Sequence, residues 1–149
     1  MKNFKLSEFF ASSTADKNGL KNEPSIDERA TIERNINSLV DNVLDPIRDK
    51  FCAPVIITSG YRCPQVNKLV GGANNSQHML GCAADFHIKG FTRSMMYDAF
   101  SNIYNTMEFD QLIFYRSKNI IHVSYVENCN RHEAVSYTHL RAHETTLHL

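Results

Sequence analysis

The sequence of 149 residues has no excess of charge of either sign, because 16 Lys and Arg residues balance 16 Asp and Glu residues. Bulk charge therefore gives no indication of a nucleic-acid or membrane surface. No apolar run approaches the ~20 residues of a membrane-spanning helix. The first residues, MKNFKLSEFFASS, lack the long apolar core of a signal peptide. We expect a protein that is cytoplasmic as synthesised and that binds neither nucleic acid nor membrane.

The four cysteines form neither a CxxC pair nor a dense disulfide framework. Reduced thiols are the simpler interpretation for this compartment. The chain also has no internal repeats. With 42% hydrophobic and 21% charged residues, it has the composition of one soluble globular domain.

The clearest helical pattern covers residues 24–51, where apolar residues recur at helical spacing. Ser25 and Glu28 form a capping-box pattern at its start, and Pro46 predicts a kink or a new first turn. Two further helices are predicted over CPQVNKLVGG and FTRSMMYDAFSNIY, the second with Thr92 as its cap. Strands are predicted over PVIITS, CAADFHI, DQLIFYR and IIHVSYV, the last two joined as a hairpin.

Two of these strands alternate between apolar and polar positions. Asp85 lies opposite Phe86 on its strand, and His122 lies opposite Val123 on another. The predicted fold is therefore α+β. It has a small antiparallel sheet that carries polar groups on one face and packs helices on the other.

If the two strands share a sheet, Asp85 and His122 project from the same side. His78 precedes the first strand in a glycine-containing loop that can fold back over that side. Two imidazoles and a carboxylate are the donor set of a catalytic zinc, which keeps a fourth position open for water. His87 shares the face of Asp85, so it is a rival ligand or a surface histidine.

The stretch SQHMLGCAADF resembles the Ser-x-His-x-x-Gly-x-Ala-x-Asp signature of the zinc D-alanyl-D-alanine carboxypeptidase family, the VanY- and VanX-like enzymes with a hedgehog-type fold. The segment IIHVS resembles the WIHVS-like ending of that family, and SGYRCPQVN and FDQLI resemble segments of a phage and bacterial branch of it. The resemblance runs from about Leu6 to Arg131. It implies three zinc ligands: His78, Asp85 and His122.

The resemblance also implies roles for three nearby polar residues. Arg62 matches the basic residue of the family's active site, where it would clamp the substrate or the developing oxyanion. A structural ion pair is the alternative for Arg62. Ser76 and Gln77 would orient the loop or contact the substrate.

The general base is where the sequence departs from the family pattern. Asn119 stands where better-known relatives have an acidic residue, and an amide cannot take a proton. Tyr115 stands where the closer branch has glutamate. Of the remaining candidates, Asp110 and Glu108, we predict Asp110 as the base. Its alternative role is to hold the hairpin or a ligand histidine in place.

The resemblance implies a monomeric zinc metallopeptidase that hydrolyses peptidoglycan stem peptides, as a D-Ala-D-Ala carboxypeptidase or as an endolysin-like endopeptidase. Such an enzyme acts on the cell wall after phage-mediated release. Two alternatives stay open. In the first, the chain is a catalytically inactive relative that binds cell-wall peptide or metal. In the second, it is a structural phage protein without metal.

The C-terminal stretch VSYTHLRAHET resembles the in-frame translation of a sequencing adapter. We therefore predict a zinc peptidase domain over residues 1–134 and a non-native, disordered tail over residues 135–149. The tail histidines, His139, His143 and His148, are expected to bind no native metal.

Overall fold

The computed structural model describes residues 1–137 and, for their strand pairing only, residues 144–146. The fold is α+β, as predicted. The helices are α1 (Ser7–Phe10), α2 (Ser13–Lys17), α3 (Arg29–Leu39), α4 (Asp45–Phe51), α5 (Pro64–Leu69) and α6 (Arg93–Thr106). The strands are β1 (Val55–Ser59), β2 (Ala83–Ile88), β3 (Gln111–Tyr115), β4 (Ile120–Ser124), β5 (Glu133–Tyr137) and β6 (Glu144–Thr146). Within the described residues, every helix is too short or too polar to cross a membrane.

The strands form one sheet in the order β1-β2-β4-β3-β5-β6. The first four pair with one another in antiparallel fashion, as the sequence predicted. β5 differs, because it pairs with β3 in parallel. After β4 the chain reverses and passes β3. β5 then pairs with β3 on the side away from β4 and runs in the same direction as β3. The sheet is therefore mixed.

The long helical pattern forms as two α-helices separated by a π-helical turn over Val40–Leu44. Pro46 lies in the first turn of α4, directly after the π-helical turn, so it removes one main-chain donor from a continuous helical run at the point where the hydrogen-bond pattern changes. The predicted capping box is wrong. The backbone carbonyl of Ser25 already accepts from the N–H groups of Glu28 and Arg29. The helix therefore begins at Arg29 without a side-chain cap.

One face of the sheet packs into the hydrophobic core. Phe86 of β2, Phe114 of β3 and Val123 of β4 are fully buried there with residues of α3, α4 and α6. Burying a side chain of this size contributes about 1.5–3 kcal/mol. Alternate residues of the same strands face the other side, which leaves that side for polar groups.

The predicted domain boundary at residue 134 falls inside β5. Ser136 is buried, and the ring of Tyr137 stacks on that of Tyr115 with centroids 5.6 Å apart. Residues 135–137 are thus part of the sheet, which differs from the predicted disorder. The division of the chain and the origin of its tail stay predictions. The tail histidines lie outside the described residues.

Candidate metal centre

Asp85 and His122 are directly opposite each other on neighbouring antiparallel strands. Strand geometry turns both side chains away from the core, because their sequence neighbours Phe86 and Val123 are the buried ones. His122 Nδ1 lies 2.8 Å from Asp85 Oδ1. The register between β2 and β4 is therefore what brings this pair together.

His78 comes to the pair from a 3₁₀ turn over Gln77–Leu80. Its Nδ1 lies 2.7 Å from the carbonyl oxygen of Gly60. Because a carbonyl only accepts, Nδ1 carries the proton and the lone pair is on Nε2. Gly81 ends the turn with φ +74°, and a Cβ there would lie 2.7 Å from the carbonyl oxygen of Ile32. The small residue is needed for close approach to α3.

The three residues offer ligand atoms that all lie within 4.8 Å of one another. His78 Nε2 is buried without a hydrogen-bond partner and lies 3.3 Å from Asp85 Oδ1. Two lone pairs that face each other at this distance repel unless a proton or a cation lies between them. Two imidazole nitrogens and a carboxylate oxygen are also ligands that divalent metals take. The residues therefore fit a metal ion, and this group could hold one.

The charge of Asp85 is maintained by its neighbours. Burial by itself would raise the pKa of its carboxyl group. The hydrogen bond with His122 and the two imidazoles beside the carboxylate outweigh burial and hold that pKa well below its usual range. Asp85 is therefore an anion at neutral pH, which is the form that binds a cation.

Arg62 lies beside the three-residue group, with Nη2 3.7 Å from Asp85 Oδ2. Two further contacts fix its guanidinium: Nε donates to Ser59 Oγ at 3.3 Å, and Nη1 donates to Asn67 Oδ1 at 3.1 Å. A Cβ at Gly72 would lie 2.8 Å from Arg62 Nη1. A glycine at this position therefore leaves room for the guanidinium.

The metal group forms part of a cavity of about 550 Å³. Arg62, Ser76 and Gln77 also line it, as does Tyr115. Ser76 Oγ accepts from the backbone N–H of His78 at 3.2 Å, so Ser76 shapes the turn that carries a candidate ligand. The polar residues singled out in the sequence thus surround one opening.

Asp110 is buried, with 2% of its side chain exposed. Its carboxylate accepts from Arg131 Nε at 3.0 Å, Arg131 Nη2 at 2.9 Å, the Arg131 backbone N–H at 2.9 Å and Gln77 Nε2 at 2.8 Å. Hydrogen bonds from Arg131 are the main reason that its pKa falls to about 2. This arrangement suits the alternative role predicted for Asp110, which is to hold neighbouring groups in place. Its role as a base stays a prediction.

The other candidates from the sequence lie apart from the group. His87 Nδ1 is 3.3 Å from the carbonyl oxygen of Asn119. Glu108 is exposed and lines neither this cavity nor a second cavity of about 440 Å³ that adjoins it. Among the residues that the structure describes, Asp85 is the only carboxylate lining either cavity.

Sequence reasoning missed two groups that position the site. The carbonyl of Gly60 orients His78, and the amide of Asn67 orients Arg62. A backbone carbonyl leaves no signal in a sequence. Asn67 is 4% exposed and also donates to the carbonyl of Ala73, so its role depends on how α5 is placed.

Comparison with known proteins gives the family of this chain. No curated protein matches the sequence. The family model described as Peptidase M15 matches residues 2–124, which is well over half of the chain and includes His78, Asp85 and His122. The match confirms the resemblance seen in the sequence, and the chain belongs to the peptidase M15 family.

Proposed function

We propose that the chain is a zinc-dependent peptidase that hydrolyses peptidoglycan stem peptides next to D-alanine, with His78, Asp85 and His122 as the metal ligands. The observation that carries the proposal is the convergence of three ligand atoms within 4.8 Å at an open cavity. Membership of a peptidase family supports the reaction class.

The donor set favours zinc over harder metals. Two imidazole nitrogens and one carboxylate oxygen are typical of catalytic zinc, whereas magnesium and calcium take mainly oxygen ligands. When bound, zinc supplies a Lewis acid that lowers the pKa of water and polarises a carbonyl group. The Gly60 carbonyl contributes by holding His78 in the tautomer with a free Nε2 lone pair.

Arg62 is proposed to bind the substrate or the oxyanion that develops on it. Its guanidinium is held by Ser59 and Asn67, so it is already oriented before a substrate arrives. A planar cation with paired N–H donors matches a carboxylate or an oxyanion. Ser76 and Gln77 line the same cavity and are proposed to contact the peptide.

Asp110 is proposed to act through its neighbours. Each of its oxygens already accepts two hydrogen bonds, and a pKa of about 2 makes it a weak proton acceptor at neutral pH. Tyr115 lines the cavity, but burial raises the pKa of its phenol, so it remains protonated. It can donate a hydrogen bond and cannot serve as the base at neutral pH.

A second candidate function is favoured by the carboxylates that line the two cavities. A relative that binds cell-wall peptide without cleaving it needs the metal group and Arg62 and has no need of a base. Among the described residues, no carboxylate other than Asp85 lines either cavity. This composition is compatible with binding alone.

Two measurements on the purified full chain test the proposal. The first is zinc content by mass spectrometry. The second is release of D-alanine or of shortened muropeptides from purified peptidoglycan and from a D-Ala-D-Ala peptide. Zinc with hydrolysis supports the peptidase. Zinc with peptide binding and no hydrolysis supports the inactive relative, and absence of zinc contradicts both.

A further inference from the structure

A second cavity of about 440 Å³ lies next to the metal-side cavity. The two share Arg62, Gly72, Asp85 and Tyr115 among their lining residues, so they adjoin each other at these residues. Together they form one cleft that extends beyond the metal group. The role proposed for the metal ligands leaves this second cavity without a function.

The walls of the second cavity carry a net positive charge. Arg62 and Lys118 are its cationic residues, and Asp85 is its only carboxylate among the residues that the structure describes. Asp85 is already engaged by His78, His122 and Arg62. Hydroxyl groups make up much of the remaining wall: Ser12, Ser13, Thr14, Thr58, Ser59 and Tyr61. Cations and hydroxyl donors around a small cavity favour an anionic group.

Lys118 is the second cation of this cavity, and it is exposed. It lies in the turn between β3 and β4, and its Nζ is 6.0 Å from the centroid of the Tyr115 ring. Contact with an aromatic face holds an ammonium group without neutralising it. Within the described part of the chain, no carboxylate lies within salt-bridge distance of this ammonium group. Its charge is therefore available to a ligand.

We propose that the second cavity is the subsite for a carboxylate group of the substrate peptide, with Lys118 contacting that carboxylate. The inference rests on the proposed function, because it places a stem peptide across the cleft. A stem peptide offers a carboxylate from two sources. One is its C-terminal D-alanine, and the other is an acidic residue further along the peptide. The first source corresponds to a carboxypeptidase, the second to an endopeptidase.

Binding of uncleavable probes tests this subsite without depending on turnover. The first pair of probes is the ketomethylene isostere of acetyl-D-Ala-D-Ala, as the free acid and as the carboxamide. The second pair is the carboxamide isostere extended by γ-linked D-glutamate or by D-isoglutamine. Affinities are measured by calorimetry on the full chain in zinc-containing buffer. The variants are Lys118→Gln and, as a matched loss of charge at an exposed residue outside the cleft, Lys89→Gln.

Lys118→Gln is expected to weaken one acidic probe about fivefold and leave its uncharged partner unchanged, as for a solvent-accessible ion pair. The effect should shrink as salt is raised, because exposed charges are screened. Lys89→Gln should bind all four probes like the unchanged chain. If Lys118→Gln loses affinity only for the free acid, the subsite binds the terminal carboxylate. If it loses affinity only for the D-glutamate probe, the subsite binds the internal carboxylate.

Equal affinity of Lys118→Gln and the unchanged chain for both acidic probes would overturn the subsite, and so would failure of all four probes to bind. These results are separate from the proposed function. A chain that cleaves peptidoglycan while Lys118→Gln binds normally keeps its function and loses the subsite. A chain that binds acid through Lys118 without cleaving anything keeps the subsite and loses the peptidase.

Discussion

Asp85 is the residue on which the site depends. It lies within 4 Å of both candidate histidines and of Arg62. The two imidazoles and the guanidinium approach one carboxylate, so removing that carboxylate would leave three cationic or lone-pair groups facing each other. Leaving a buried charged group without its partner lowers the stability of the fold by more than the pair had contributed. Substitutions at this residue should therefore affect metal content and stability together.

The metal ligands give the first prediction. The purified chain should hold about one zinc, and His78→Ala, Asp85→Ala or His122→Ala should each remove most of it. His87→Ala is the control, because His87 lies on the same sheet face and outside the metal group. Zinc is measured by mass spectrometry, with circular dichroism to check the fold. Full zinc content in His122→Ala would contradict the ligand assignment, as would its loss in His87→Ala.

Arg62 gives the second prediction. Arg62→Lys should keep zinc and lower turnover, because an ammonium group cannot make the paired N–H contacts of a planar guanidinium. Zinc content and the rate of D-alanine release are measured on the same sample. Lys68→Arg, in the neighbouring helix α5, is the control, because it also replaces one cationic side chain by the other. Turnover equal to that of the unchanged chain would leave Arg62 with its structural ion pair to Asp85.

At the scale of elements, a hydrogen-bonded network joins the start of β3 to the 3₁₀ turn that carries His78. Asp110 accepts from Gln77 of the turn and from Arg131 of the segment before β5. The network holds three chain segments around one buried carboxylate. Its contribution should appear as stability of the turn and not as a proton transfer.

Asp110→Asn tests this interpretation. An amide would point a donor at the donors of Gln77 and Arg131, so the free energy of unfolding should fall by about 1–3 kcal/mol at pH 7. The folded-state pKa of Asp110 is lowered from 3.8 to about 2. Its stabilisation is therefore complete above about pH 5 and is lost as the pH falls through 2. Denaturant unfolding at several pH values should show the variant and the unchanged chain converging toward low pH.

The opposite result has a distinct signature. If Asp110 is the general base, Asp110→Asn lowers turnover roughly 10²–10⁴-fold while the fold and the zinc content are kept. Glu108→Gln is the matched control, because Glu108 is exposed and lines neither cavity.

At the scale of the whole molecule, the sheet joins the site to the C-terminal strand. β5 covers the edge of β3, and Tyr137 stacks on Tyr115, which lines both cavities. A strand edge offers unpaired backbone groups to any segment that reaches it. Pairing with β3 therefore does not require that the segment was selected for this fold.

Truncation tests how much the tail contributes. A chain that ends at Ala134 loses the pairing of residues 135–137 with β3 and the stacking of Tyr137 on Tyr115. We expect it to lose about 1–2 kcal/mol, more than an undocked tail would contribute. Zinc content should not change, because the metal group lies before residue 125. A chain that ends at Tyr137 is the control. Loss of zinc from the shorter chain would make the tail part of the site.

Much of the local structure could be predicted from the sequence, because it depends on neighbours along the chain. Thr92 caps α6 through the backbone N–H of Met95, as its position before an amphipathic helix indicated. Ser25 was predicted as a cap on equal grounds, but a backbone carbonyl already accepted the first N–H groups of that helix. The parallel pairing of β5 could not be predicted, since it depends on which sheet edge the returning chain meets.

The sequence by itself determined which side chains leave the core. Alternation at a period of two is a property of the extended backbone, so Asp85 and His122 had to face away from Phe86 and Val123. Only the tertiary structure decided that Asp85 lies directly opposite His122, that the Gly60 carbonyl fixes the ring of His78, and that Lys118 stands at a second cavity. Register and turn placement depend on hydrogen bonds between segments far apart in the chain, and local patterns carry no information about those partners.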